Sequence, residues 1–140
     1  MSRVILSIQG RQEYEGQEPE VIEMVTEGTM DYRQGGWDIR YEETALTGLE
    51  GVTTSFRVEP ERVILKRTGA LESEMIFQEG KPHDSLYQLP FGALLMTIQT
   101  QWIRANLTEK GGEVSLLYKI FIENSDAGII KYHLEVRPAE

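Results

Sequence analysis

Two charged residues stand where the apolar pattern of their own segments points inward. In RVILKRTG (62–69), Arg67 is in phase with Val63 and Leu65. In WDIRYEE (37–43), Glu43 is in phase with Trp37, Ile39 and Tyr41. If those apolar residues face a core, the two charges face it too, and a charge taken from water must be paired or hydrated. A planar guanidinium suits the carboxylate or phosphate of a ligand. The expectation is a polar patch of Arg67, Glu43, Tyr41 and Tyr87 that holds a small, partly apolar or anionic molecule. The alternative is structural: both charges lie at strand ends, where they reach water or pair only with each other.

Other chemistries find little footing. The two histidines, His83 and His133, are far apart in the chain, and neither has a second histidine or a carboxylate at ligand spacing. A zinc centre needs three or four converging ligands, so no metal site and no cofactor are expected. No G-x-S-x-G elbow and no phosphate-binding glycine pattern occurs. Glu23, Glu27 and Glu43 are the carboxylates that could face inward. For the first two, the opposite phase of VIEMVTEGTM (Ile22, Met24, Met30) supplies the better core and leaves them solvated. An enzyme is therefore the least supported class.

These residues need elements to hold them, and the chain supplies strands. Period-2 alternation recurs in VILSIQG, VIEMVTEGTM, WDIRYEE, VTTSFRV, RVILKR and SEMIFQ, each the pattern of a half-buried antiparallel strand. EVSLLYKIFIEN (113–124) and GIIKYHLEV (128–136) are longer and rich in β-branched and aromatic residues. Between them lie turn signals at Tyr14-Glu15-Gly16, Gly35-Gly36, Glu59-Pro60-Glu61, Thr68-Gly69, Glu79-Gly80-Lys81-Pro82, Lys110-Gly111-Gly112 and Ser125-Asp126-Ala127-Gly128. Strands this regular predict a barrel or a sandwich. LYQLPFGALLMTIQTQW (86–102) is ambiguous. Leu94, Ile98 and Trp102 recur at helical spacing, whereas Leu94, Met96 and Ile98 alternate as in a strand. Pro90-Phe91-Gly92 reads as a corner in a bent strand. Most aromatics, Phe91 included, read as core or wall packing.

Two ordered sets of motifs resemble a known family. The first is TGLEGVTTSFRVEPERVILKRTGALESEMIFQEG (47–80); the second is YQLPFG, a long strand, and GGEVSLLYKIFIE. In this order they resemble the YwiB-like family of small bacterial proteins with a calycin-like (lipocalin-like) β-barrel. The resemblance spans residues 3–136, with Leu89 standing where the family pattern has Thr. It implies a strand over 92–107 and an all-β fold: one antiparallel calycin-like barrel of about 8–10 strands, forming a single domain over residues 1–140. A barrel of that size is either filled by side chains or holds one small ligand. Filled, it would act through its outer wall, for example as a homodimer. VSLLYKIFI supports that alternative, because Leu116, Tyr118 and Ile120 face one way and Leu117 and Phe121 the other.

Composition bounds the setting. The chain has 140 residues, a formal charge of −9 and no cysteine. Disulfides and thiolate chemistry are excluded, and a reducing compartment fits. Carboxylates are spread along the chain, and the single basic cluster, Arg62 with Lys66-Arg67, is too small to drive binding to a nucleic-acid backbone. No segment approaches the ~20 apolar residues of a membrane span, and MSRVILSIQG lacks the apolar run of a signal peptide. The expected location is the cytoplasm, with no nucleic-acid or membrane partner.

Overall fold

Side chains alternate across a strand, so the inward residues of every alternating segment must meet one another for any to be buried. In the computed structural model, which describes residues 2–14 and 16–139 (the backbone alone at Tyr87 and Leu89), they meet inside a nearly closed barrel of ten strands. The strands are β1 (Ser2–Glu13), β2 (Glu20–Arg33), β3 (Gly36–Glu42), β4 (Val52–Val58), β5 (Val63–Gly69), β6 (Ser73–Phe77), β7 (His83–Leu89), β8 (Gly92–Thr108), β9 (Gly111–Ile122) and β10 (Ser125–Pro138). All ladders are antiparallel, in the order β6-β5-β4-β3-β2-β1-β10-β9-β8-β7. A 3-10 turn, Ala45–Thr47, interrupts the run between β3 and β4. No helix of the described residues is long and apolar enough to cross a membrane.

The interior is packed. Val4, Leu6, Ile39, Phe56, Val63, Phe77, Ile98, Leu116 and Leu134 are almost wholly buried. Phe56 and Tyr132 lie 5.5 Å apart between ring centroids, and Phe77 and Tyr118 lie 4.6 Å apart. These ring pairs fill part of the barrel interior. Burying an aromatic or branched aliphatic side chain contributes about 1.5–3 kcal/mol each.

Residues 92–108 form a strand, as the family resemblance implied. The spacing of Leu94, Ile98 and Trp102 fits a strand as well, since its offsets are even, and the strand carries one irregularity. A bulge between Thr100 and Trp102 shifts the register against β9, so Thr100 faces Tyr118 while Trp102 faces Leu117. Ile98 and Thr100 are buried before the bulge, whereas Trp102 emerges on the outer wall, where the Arg104 guanidinium stacks 4.2 Å from its ring centre. In a regular strand the even spacing of Ile98 and Trp102 would put them on one face; the extra residue puts them on opposite faces.

Two turn expectations are corrected. Pro90-Phe91 is the two-residue reversal of a hairpin, with Leu89 paired to Gly92, and not a corner in a continuing strand. Phe91 at its tip is exposed rather than packed. The β9–β10 reversal is Glu123-Asn124, both with positive φ (49° and 69°), upstream of the predicted Ser125–Gly128. Two consecutive left-handed residues match the twist of a tight hairpin, and asparagine tolerates that conformation well. Ser125–Gly128 belongs to β10, at a register shift between Asp126 and Ile129.

The edge strands β6 and β7 face each other without a ladder. Side chains tie the seam. Ser85 Oγ donates to the Glu74 carbonyl, His83 Nε2 lies 3.1 Å from Gln78 Oε1, and the Ile103 amide donates to Glu79 Oε2 at 2.7 Å. A parallel bridge joins Glu79 to Thr100. Covering these edges removes unpaired strand groups that would otherwise recruit another chain.

Candidate functional site

Strand pairing sets three inward side chains in a row at one barrel end. Tyr41 on β3 is opposite Thr54 on β4, and Thr54 is opposite Arg67 on β5. Glu43 lies one inward step further toward the rim, where its backbone N–H donates a hydrogen bond to the Val52 carbonyl at 2.8 Å. Its side chain is 2% exposed and that of Arg67 is 20% exposed. The two charges expected to face inward therefore do so.

The carboxylate is satisfied by hydroxyls. Thr54 Oγ1 donates to Glu43 Oε2 at 2.5 Å, and Thr47 Oγ1 donates to Oε1 at 2.9 Å. Arg67 Nε stands 4.0 Å from Oε2, close enough for attraction but too far for a hydrogen bond. Among the described residues this buried Nε has no hydrogen-bond partner. The guanidinium is thus held near the mouth by a neighbouring negative charge without spending its Nε donor on it.

The loop between β3 and β4 shapes the rim. Thr44 caps the 3-10 turn by accepting from the Leu46 amide, and Gly48 ends it in the left-handed conformation (φ 75°). This fold brings Thr47 and Leu49 over the opening. Beneath them lies a cavity of about 230 Å³, with Ile8, Met24, Ile130 and Tyr132 as its apolar wall, and with Glu43 and Arg67, joined by Arg11 and Glu20, as its charged lining. Gly10 of β1 keeps the middle of that wall open.

Burial marks the tyrosines around the site. Desolvation, then the Glu43 carboxylate, push the Tyr41 phenol up to about 12, against an opposing pull from Arg67. Burial raises Tyr118 and, reinforced by Tyr41, raises Tyr132 well above the ordinary phenol range. An unfolded phenol titrates near ~10. Above that pH the unfolded chain binds fewer protons than the folded one, so this contribution to stability is complete below ~10 and lost as pH rises through the folded values. Phenolate absorbance at pH ~11 is expected to stay well short of the value for all six tyrosines until the protein unfolds. Full ionisation with native circular dichroism intact would contradict this.

The remaining expected residues are scattered. The side chain of Tyr87, the fourth member of the predicted patch, lies outside the described residues. Glu23 and Glu27 are exposed, as expected. Ile22 shares the inward phase with Met24 and lines the opening, yet it is 61% exposed. The expectation that no carboxylate stands at ligand spacing from a histidine is corrected: Glu135, two residues along β10 on the same face, is 3.4 Å from His133. Pairing of β9 with β10 brings Glu113 beside His133 and Glu135. Reading the sequence missed Thr54, Thr47 and Tyr132. Thr54 had a signal, since it shares its phase with Val52 and Phe56.

The opposite end bears a wider groove of about 760 Å³, floored by Trp37, Val58, Ile103 and Leu107 and rimmed by Glu59, Glu61 and Glu79. Its lining holds no cationic side chain among the described residues, so the chemistry for an anionic group is at the Arg67 end.

Known proteins resemble this chain in sequence and in shape. The family model described as "Domain of unknown function (DUF1934)" matches residues 6–136. A relative described as "Uncharacterized beta-barrel protein YwiB", from Bacillus subtilis (strain 168), is 29% identical over 103 residues, covering 74% of this chain and 71% of the relative. The crystal structure of the ywiB protein from Bacillus subtilis superimposes with a TM-score of 0.89 at 24% identity, over 99% of this chain and 93% of that one.

Proposed function

The chain belongs to the DUF1934 family, and from that premise we propose that it is a small-ligand-binding barrel, used in the calycin manner with the ligand at one mouth. The observation that carries this is Arg67: a guanidinium held inside the mouth, its buried Nε unpartnered, above an apolar wall. The ligand class is a small molecule with a carboxylate or phosphate on Arg67 and an apolar body against Ile8, Met24 and Ile130. Drug-sized ligands occupy roughly 300–1,000 Å³. A cavity of about 230 Å³ therefore suits a smaller one, most of the interior being filled. The cysteine-free sequence supports a cytoplasmic setting.

Native mass spectrometry of the protein purified without denaturation tests the proposal. A bound small molecule supports it, and its mass names the class. Arg67→Ala should then weaken that ligand by about 10- to 150-fold, the worth of ~1.5–3 kcal/mol for a hydrogen bond to a charged group. Unchanged affinity would remove Arg67 from the site.

The small cavity also favours a second reading, a filled barrel that works through its wall. Val21 and Val25, 54% and 67% exposed on the outer face of β2, would then meet a partner such as a second copy. A clean apo mass at twice the chain mass would favour it.

A further inference from the structure

The outer wall of β9 and β10 carries a second cluster of chemistry-bearing side chains. His133 points outward between the inward residues Tyr132 and Leu134. Its ladder partner is Ser115, while Glu135, two residues along the same face, is paired directly with Glu113. Ser115 Oγ lies 2.6 Å from His133 Nδ1. The other ring nitrogen, Nε2, lies 3.4 Å from Glu135 Oε1 and 3.7 Å from Glu113 Oε2. All three prospective donor atoms fall within 4.8 Å of one another.

In one tautomer Nε2 donates to Glu135 Oε1 and Ser115 donates to Nδ1; in the other Nε2 is free to bind a cation. When Nδ1 carries the proton and donates to Ser115, the Nε2 lone pair points at two carboxylate oxygens. Three electron-rich atoms in one place repel unless a proton or a cation lies among them. Among the described residues, no lysine or arginine engages either carboxylate. Bonds of ~2.0–2.2 Å at tetrahedral angles put donor atoms ~3.3–3.6 Å apart, close to the two spacings seen here.

We propose that Glu113, His133 and Glu135 bind a divalent cation of the zinc class, with Ser115 as the positioning residue that accepts from Nδ1–H and so leaves Nε2 free for the metal. One imidazole with two carboxylates is a borderline donor set suited to zinc and its late first-row neighbours, whereas magnesium and calcium favour oxygen alone. A hydrogen bond to the remote ring nitrogen is the usual second support of a metal-bound histidine. The fourth position opens toward an outer groove of about 540 Å³ lined by Ser7, Gln9 and Glu23, where water or an added ligand would complete the shell. This site lies on the outer wall and is independent of the ligand proposed for the Arg67 mouth.

The test is calorimetric titration of zinc chloride into the full, untagged chain, stripped with chelator and desalted, at a pH near 7.5 where an ordinary imidazole is neutral. The expected result is one saturable equivalent. His133→Ala should lower its affinity at least tenfold. Ser115→Ala, which keeps all three ligands, should weaken it by about tenfold, within the range for loss of such a support. His83→Ala, at the only other histidine, should bind as the native protein does. No saturable uptake would overturn the proposal, as would uptake that survives His133→Ala or disappears in His83→Ala. All three substitutions lie outside the packed interior, and circular dichroism confirms that each variant is folded.

Discussion

Gly112→Ala is expected to destabilise the barrel by about 3 kcal/mol or more. Gly112, the second residue of β9, has φ +140°, a conformation side chains rarely adopt, and a Cβ there would sit 1.8 Å from the Asn106 carbonyl oxygen. That oxygen belongs to the backbone of β8, whose Leu107 is the ladder partner of Gly112. It can retreat only if the two strands part. Gly111 is equally hemmed, with its Cβ position 2.1 Å from the Val136 carbonyl oxygen. The three strands β8, β9 and β10 therefore converge on a point where backbone packs on backbone. Thermal denaturation should show a fall in Tm of roughly 10 °C or more. Gly80→Ala is the control. Gly80 also has positive φ (73°), but nothing lies within 4 Å of its Cβ position, so only left-handed strain of about 1 kcal/mol is added. Equal effects of the two substitutions would show that the close approach to β8 does not govern stability.

Glu43→Ala is expected to cost about 2–4 kcal/mol, more than Arg67→Ala. Losing one member of a fully buried ion pair costs about 3–5 kcal/mol, because an uncompensated charge remains. Arg67 is one-fifth exposed and stands 4.0 Å from the carboxylate, which lowers that figure. The loss of Glu43 also strips the acceptor from the fully buried Thr54 hydroxyl, whereas Thr47 Oγ1 keeps the Thr44 carbonyl at 3.1 Å. Arg67→Ala leaves a carboxylate that still accepts both hydroxyls. The double variant Glu43→Leu with Arg67→Met should recover part of the loss, since neither charge then has to be desolvated. Urea denaturation of the two single variants and the double variant closes a mutant cycle. A double variant as unstable as the sum of the singles would mean that the two side chains do not act as a pair.

Much of this arrangement was readable from alternation alone. Arg67, Glu43 and Tyr41 were placed inside by the phase of Val63, Leu65 and Ile39, because a strand leaves a side chain only two directions. The same rule applied to VTTSF would have added Thr54. Thr47 had no such signal. It reaches Glu43 through the 3-10 turn and the left-handed Gly48, and a loop path has no period. The bulge after Thr100 defeated the pattern in β8, since one inserted residue reverses the meaning of every later position. Glu123-Asn124 was overlooked as a turn because the glycine at 128 drew the reversal downstream, while the chain used asparagine's tolerance of positive φ. The Glu113–His133–Glu135 cluster needs the β9–β10 register, which no local pattern specifies.

The order of the strands bears on how the barrel assembles. Among the described residues, eight of the nine ladders join strands that follow one another along the chain, and the ninth joins β1 to β10. Strands adjacent in sequence at β6 and β7 are the pair left without a ladder. Two runs of hairpins, β1 to β6 and β7 to β10, can each form from local contacts, with only short loops to close. The β1–β10 ladder is different: it must gather segments more than a hundred residues apart before any of its hydrogen bonds forms. Contacts of long sequence separation are those that slow folding. The β1–β10 ladder is therefore the kinetic keystone of this barrel, and the seam at β6 and β7 is where two preformed halves meet without having to register bond for bond.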